Sequence, residues 1–306
     1  MVQFKRKSSI TRLSDNHCLL ADGTEIDIMK FKIVADSSVD LKELIYPVAF
    51  ELVPLKIMTD SEEFVDDESL DAVDMATRLK RYKGKSRSSC PNPDDYLAAF
   101  GDAENVFCVT ITSGLSGSCN AAMTAARLYE EEHAGRRVCV IDSLSTGPEC
   151  ALIAERIAAL IEAGKDFEGV KGEIENYKRT TGLVFSLESL HNLAANGRVN
   201  PLVAKLSGML GIRVVGKASD EGTLEVVEKA RGREAALSAL IGLMEREGYS
   251  GGRVRIHHAA NPTVADEAAR RLLEKYPSAK ITVDKTGGLC SFYAELGGVL
   301  VGFEKG

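Results

Sequence analysis

No apolar run in this 306-residue chain reaches the ~18 residues of a membrane-spanning helix, so no membrane span is expected. Positive charge is not in excess either: 38 Lys and Arg against 45 Asp and Glu leave a formal net charge of −7. An acidic chain without a basic run repels phosphate backbones, which argues against a nucleic-acid partner. No two cysteines have C-x-x-C spacing, and the seven are an odd number, widely scattered. That usage suits a reducing, cytoplasmic setting rather than a disulfide scaffold. Cys108 in VFCVTI and Cys139 in RVCVID read as small core hydrophobes. The histidines (His17, His133, His191, His257 and His258) lack the i, i+4 or cysteine-paired spacing of a metal site, so none is expected. His257 and His258 are neighbours on an expected strand and point to opposite faces, so they cannot share a metal and read as structural. The opening MVQFKRKSSITRL is basic without an apolar stretch, so no secretory signal is expected. Tryptophan is absent, which by itself excludes nothing.

What is present is an ordinary globular composition, 44% apolar, in a length that suggests about two domains at ~150 residues each. Residues 1–30 read as an N-terminal extension with a hairpin-like pattern around the turn signal Asp22-Gly23. From residue 31, strands alternate with helices: strands at 31–35, 106–111 and 137–142, helices at 68–83, 121–132 and 147–163. The stretch 50–58 reads as one strand at an edge or bulge, interrupted by Pro54. Buried strands alternating with helices predict a parallel, doubly wound sheet. The second half reads as mixed α/β, with strands at 183–187, 212–216, 223–230, 254–259 and 279–284 and helices at 233–247 and 263–275. The expected division is a first α/β domain over 31–177 and a second over 178–306.

Three strands of the first half each end in a hydroxyl-rich loop: ADSSVD (35–40), TSGLSGS (112–118) and DSLSTG (142–147). In an open parallel sheet, ligands sit beyond the carboxyl ends of the strands. A fourth cluster, SRSSCPNP, spans 86–93. Asp36, Ser143 and Ser145 are equally well read as caps or turn residues. The 112–118 loop has more than a cap requires: Gly114 and Gly117 for close backbone approach, and Ser113, Ser116 and Ser118 as neutral donors ahead of a helix N-terminus. No Lys or Arg lies within 106–126, where a phosphate would draw one. A carboxylate is therefore the expected anion. A serine hydrolase is the alternative, but G-L-S-G-S misses the second glycine of G-x-S-x-G and no partner histidine can be assigned.

Seven segments, in one order from about residue 31 to 303, resemble the DegV family of bacterial fatty-acid-binding proteins. KIVADSSVDL is similar to that family's K-I-x-x-D-S-T-x-D-L, VPLKI to its V-P-L, and SRSSCPNPDDY to its T-S-Q-P-S-P-x-x-F. ITSGLSGSCNAA resembles S-S-G-L-S-G-T, VIDSLSTG resembles V-I-D-S-x-x-x, LHNLAANGRVN resembles L-x-x-L-x-x-G-G-R-I, and EKARGREAAL resembles K-x-R-G-x-x-x-A. The resemblance implies a two-domain α/β fold, with a parallel-sheet first domain and a mixed second one. It also implies a long-chain fatty acid held between them, no cofactor, and a non-enzymatic role as the lipid-binding subunit of a fatty acid kinase system. Ser88 stands at the family's carboxylate-binding threonine, Ser113 and Ser116 in its serine loop, and Arg198 at its Gly-Gly-Arg arginine, implicated in head-group access or kinase contact. Without the resemblance, Arg198 reads as a solvated side chain after a helix C-cap at Asn196-Gly197.

Two departures bear on the head group. The family's I-G-T-H-T-G-P-G corresponds to C-S-F-Y-A-E-L-G at 290–297, so Tyr293 replaces the histidine and Glu295 a glycine. Cys90 stands where the family has Gln. A tyrosine hydroxyl can still donate to a carboxylate, whereas a glutamate facing it would repel it, so a carrier for a lipid with another head group is a further reading. Apolar residues such as Leu55, Ile57, Leu187 and Leu190 read as plain core.

Overall fold

The computed structural model describes residues 30–200 and 211–306, together with residue 202 and three short strands near the N-terminus. Those strands, β1 (Thr11–Arg12), β2 (His17–Leu19) and β3 (Glu25–Asp27), form an antiparallel sheet of their own. The Asp22-Gly23 turn expected between the last two lies outside the described residues.

The first half runs β4 (Phe31–Asp36), β5 (Ala49–Val53), β6 (Lys56–Met58), β7 (Glu63–Val65), α1 (Ala72–Arg81), β8 (Arg87–Ser89), α2 (Pro93–Phe100), β9 (Asn105–Thr110), α3 (Ser118–Glu132), β10 (Arg137–Asp142), α4 (Pro148–Glu162) and α5 (Phe167–Tyr177). Strands β10-β9-β4-β5 form a four-stranded sheet, parallel throughout. Alternation of side chains explains its double covering. Ile33, Phe107 and Ile141 face α4 and α5, where the Phe107 and Phe167 rings stack 4.9 Å apart. Val34, Val106 and Cys108 face α2 and α3, and the alanines of α3 (Ala121, Ala122, Ala125, Ala126) let it lie close to the sheet. Cys108 and Cys139 are buried in these layers as expected.

The stretch 50–58 is not one strand. Pro54 ends β5, and β6 joins a separate antiparallel sheet in the order β7-β6-β8. Proline has no N–H for a ladder, and the amide of Leu55 is taken by the hydroxyl of Ser37 at 3.0 Å.

The second half runs β11 (Thr181–Leu187), α6 (His191–Ala195), β12 (Ile212–Ala218), β13 (Leu224–Arg231), α7 (Arg233–Arg246), β14 (Arg253–His258), α8 (Pro262–Lys275), β15 (Lys280–Lys285), α9 (Gly288–Ala294) and β16 (Val299–Glu304). Its six strands lie in the order β13-β12-β11-β16-β14-β15; β14 and β15 pair in parallel and every other pair is antiparallel. Helices α7 and α8 cover one face. The other face of β11 and β16 turns toward the first sheet. Sequence reading missed β16, although it is a central strand, and also missed α9, which packs against the first half.

Polar ties join the halves. Glu155 of α4 accepts from both Arg253 and Arg255 of β14, and Arg255 also reaches Asp284 at 2.6 Å. His257, fully buried, places Nδ1 3.2 Å from Asp40, which also accepts from the Gly287 amide at 2.8 Å. His258 turns to the opposite side and accepts from the Asn261 amide at 3.2 Å.

Candidate functional site

A cavity of about 240 Å³ lies between the two sheets. One wall is β11, whose alternate residues Leu183, Phe185 and Leu187 share a face, extended by Leu300 of β16 and Leu224 of β13. The Phe185 ring lies so close over β12 that a Cβ at Gly216 would meet it at 2.4 Å, so only glycine fits there. The opposite wall comes from Leu55, Ile111, Leu115 and the α9 residues Leu289 and Cys290. Leu55 and Leu187, read above as plain core, line this space, while Ile57 and Leu190 are core.

Most of the polar lining gathers at the Tyr293 end; Thr146 stands apart, beside Cys290. Ser88, at the end of the small sheet, lies 2.7 Å from the Tyr293 hydroxyl on α9. Ser116 lies beside them and accepts from the Ser118 amide at 3.3 Å. Arg198 lines the same end; its Nε donates to the Leu115 carbonyl at 3.0 Å and a second nitrogen to that of Asn196. Four of the five site residues expected from sequence are thus brought together. Ser113 is not. It is exposed on the outer corner of its loop, where its amide donates to Asp142 at 3.1 Å, and it does not line the cavity. The loop curls because the Leu115 and Ser116 amides both return to the Thr112 carbonyl, which turns residue 113 outward.

Glycine in that loop also serves another purpose than the one expected. A Cβ at Gly114 would meet the Gly222 carbonyl at 2.8 Å, and that carbonyl accepts from Thr112 Oγ1 at 2.9 Å. Gly114 therefore lets the loop dock on the β12–β13 turn of the other half, not on a ligand. Gly117 does line the cavity, with Cys90 Sγ 3.3 Å from where its Cβ would be. Cys90 itself is exposed at the rim. Glu295 faces away: it accepts from Ser189 Oγ at 2.8 Å and the Asn192 amide at 3.2 Å, outside the cavity lining.

Behind the site the hydroxyl loops hold one another. Asp36, fully enclosed, accepts from the Ile111 amide (2.9 Å), Ser118 Oγ (2.6 Å), Ser38 Oγ (2.5 Å) and the Ser38 amide (3.2 Å). Its cap role is real but is one of several. Burial raises its pKa despite these donors. Ser143 and Ser145 belong to the same lattice: Ser143 Oγ donates to the Ser145 carbonyl at 3.0 Å, which also accepts the Thr112 amide at 2.8 Å.

Asp66 was not singled out from sequence, where FVDDESL shows only turn composition. It accepts from the Gly288 and Leu289 amides at 2.5 and 2.8 Å and from Ser37 Oγ at 2.8 Å. It therefore caps the helix that carries Tyr293. Burial pushes its pKa up to about 6, against the opposing effect of its amide donors. Among the described residues, no three His, Cys, Asp or Glu side chains are grouped to hold a metal.

Comparison with known proteins agrees with this geometry. The profile of the DegV family, described as uncharacterised proteins, matches residues 30–305. A DegV domain-containing protein of Streptococcus pyogenes serotype M1 is 44% identical over 279 residues, covering 90% of this chain and all of the relative. A crystal structure of a DegV family protein from Eubacterium eligens, loaded with heptadecanoic acid, shares 47% identity and superposes with a TM-score of 0.88 over 90% of this chain and all of its own. The Streptococcus pneumoniae Fatty Acid Kinase (Fak) B3 protein, loaded with linoleic acid, shares 42% identity with a TM-score of 0.89 over the same shares. A family profile that matches nearly the whole chain, and identities above 40% with a shared fold over nine-tenths of its length, show that this chain belongs to the DegV family.

Proposed function

We propose that this protein holds a long-chain fatty acid between its two sheets, carboxylate toward Ser88, Ser116 and Tyr293, and presents it to a separate kinase. The observation that carries this reading is the cavity itself: a mostly apolar slot in whose wall the Ser88 and Tyr293 hydroxyls meet at 2.7 Å. Each methylene buried contributes ~0.8 kcal/mol, so about a dozen supply on the order of 10 kcal/mol before several kcal/mol of association cost. The tail provides the affinity and the head group sets the register. A carboxylate taken from water needs two or more donors to offset its desolvation. Two hydroxyls 2.7 Å apart, Ser88 and Tyr293, can both turn their protons toward it.

The two solved structures named above hold heptadecanoic and linoleic acids, and the second is a Fatty Acid Kinase (Fak) B3 protein. Phosphoryl transfer to a carboxylate calls for cations around the triphosphate. Among the described residues the lining has Arg198 as its one Lys or Arg, held against backbone carbonyls, so the transfer machinery belongs to the partner. A serine-nucleophile enzyme is disfavoured because no histidine among the described residues lines the cavity to act as base. With Glu295 turned away, the altered-head-group reading keeps only the tyrosine replacement in its favour. No helix among the described residues is long and apolar enough to cross a membrane, which fits a carrier that meets its kinase in the cytoplasm.

Native mass spectrometry of the purified protein, followed by lipid extraction, tests the first half of the proposal. A bound long-chain fatty acid is the expected result; a protein that is empty and takes up no added fatty acid overturns it. Incubation of the loaded protein with a bacterial fatty acid kinase catalytic protein and labelled ATP tests the second half. Labelled acyl phosphate is expected, and loaded protein that yields none with a kinase active on other carriers removes the kinase role.

A further inference from the structure

Beyond the acyl cavity lies a second cavity of about 510 Å³ with a different character. Its lining includes Glu149, Glu175, Lys178, Arg179, Asp220 and Lys305. Among the described residues, Leu183 alone belongs to both linings. Strand β11 explains the arrangement. On its inward face Leu187 and Phe185 look into the acyl cavity, and Thr181 looks into the polar one, where it donates to Glu149 at 2.7 Å. Leu183 stands between them, buried, at the end of the acyl cavity opposite Tyr293 and Ser88. Leu224, on β13 and opposite Ala218, closes the same end from the side.

We infer that Leu183 is the floor of the acyl cavity, the side chain that chiefly sets the longest fatty acid this protein binds well. The inference rests on the fatty-acid reading and adds its length selectivity. Each methylene buried before the floor improves affinity about fourfold, the equivalent of ~0.8 kcal/mol at ~1.4 kcal/mol per decade. A methylene pushed past Leu183 would displace it from the core and enter a charged, hydrated space, where no such gain exists. Affinity should therefore climb with chain length to a limit and then fall.

The test is displacement of a fluorescent fatty acid from the delipidated protein by saturated acids from decanoic to tetracosanoic. It is run on the native chain, on Leu183→Ala, and on Leu183→Val as the milder change, with a thermal melt to confirm that each is folded. In both variants the tightest-binding length should move upward, by about two or more carbons in Leu183→Ala, because the two cavities become continuous. A folded variant that binds fatty acids with the native length limit overturns the inference and leaves the fatty-acid reading standing. Should none of the three proteins bind any chain length, the fatty-acid reading itself fails and the floor fails with it.

Discussion

The two sheets meet the same problem in opposite ways. The four-stranded sheet is parallel and covered by helices on both faces, so its central strands β9 and β4 are buried on both sides and its carboxyl-end loops are what remain free for function. The six-stranded sheet is mixed and covered by its own helices α7 and α8 on one face; on the other, α4 of the first half packs on β16 and β14, and the parts of β11 and β16 it leaves free form an apolar wall. The first half therefore contributes position through loops locked by Asp36, joined by Tyr293 and Arg198 from the second half, and the second half contributes most of the apolar area. A lipid needs both: area for the tail and fixed donors for the head.

The sharpest way to break that contrast is to remove the lock. Asp36→Ala leaves the Ile111 amide and the amide and hydroxyl of Ser38 unpaired in a buried interior, while the Ser118 hydroxyl keeps Tyr96 as a partner. Each such group costs ~1–3 kcal/mol, so urea unfolding should show a loss of at least about 3 kcal/mol. A loss below about 1 kcal/mol would mean that the loops are held from elsewhere.

Asp66 links the halves, and pH reads its contribution. Its carboxyl titrates near 6 when folded, against 3.8 as the ordinary value, because burial disfavours its charge. Between those values the folded protein keeps a proton that the unfolded chain has released. This group therefore makes stability fall as pH rises from about 4 to about 6, and conversely makes it rise on acidification from about pH 7.5. Burial also raises Asp36 and Glu149, with the same sign. The displacement at Asp66 corresponds to on the order of 3 kcal/mol. Chemical denaturation at several pH values should show the rise in the native chain and a smaller one in Asp66→Asn; identical slopes would remove Asp66 as its source.

What could be read in advance follows the same division. In the first half, six-residue apolar runs such as VFCVTI and RVCVID, each ending in hydroxyls, mark parallel strands and their loops directly. In the second half the wall is invisible. Leu183, Phe185 and Leu300 are chemically the same as core residues such as Ile57, and only the packing of one sheet against another leaves space beside them. Strand β16 is weakly marked because Gly302 interrupts its short apolar run VLVGFE. Asp66 was missed because its amide partners, Gly288 and Leu289, lie more than two hundred residues away. Glu295 carried a charge that sequence could place near the head group but not orient.

Within the site, the contrast predicts a head-group effect that leaves the wall untouched. Tyr293→Phe keeps the ring against Phe292, 4.8 Å away, and removes only the hydroxyl that meets Ser88. Affinity for a fatty acid should fall about tenfold, ~1.4 kcal/mol, while affinity for its methyl ester, which carries no charge to hold, should change less than threefold. Equal losses for acid and ester would place Tyr293 in the wall.

The smallest expected effect separates two serines three residues apart. Ser113 and Ser116 share a loop and a sequence motif, but the turn at Thr112 sends the first outward beside Asp142 and the second to the cavity. An exposed hydroxyl with no part in the lining contributes little, so Ser113→Ala should leave fatty-acid affinity within twofold of the native value and stability within ~0.5 kcal/mol. Ser116→Ala removes a donor from the polar end and should cost about threefold to tenfold for the acid. The pair is measured in one titration series under identical conditions. If Ser113→Ala proves the more damaging, the loop in solution turns the other way round, and the locking of the hydroxyl loops by Asp36 would no longer explain where the donors point.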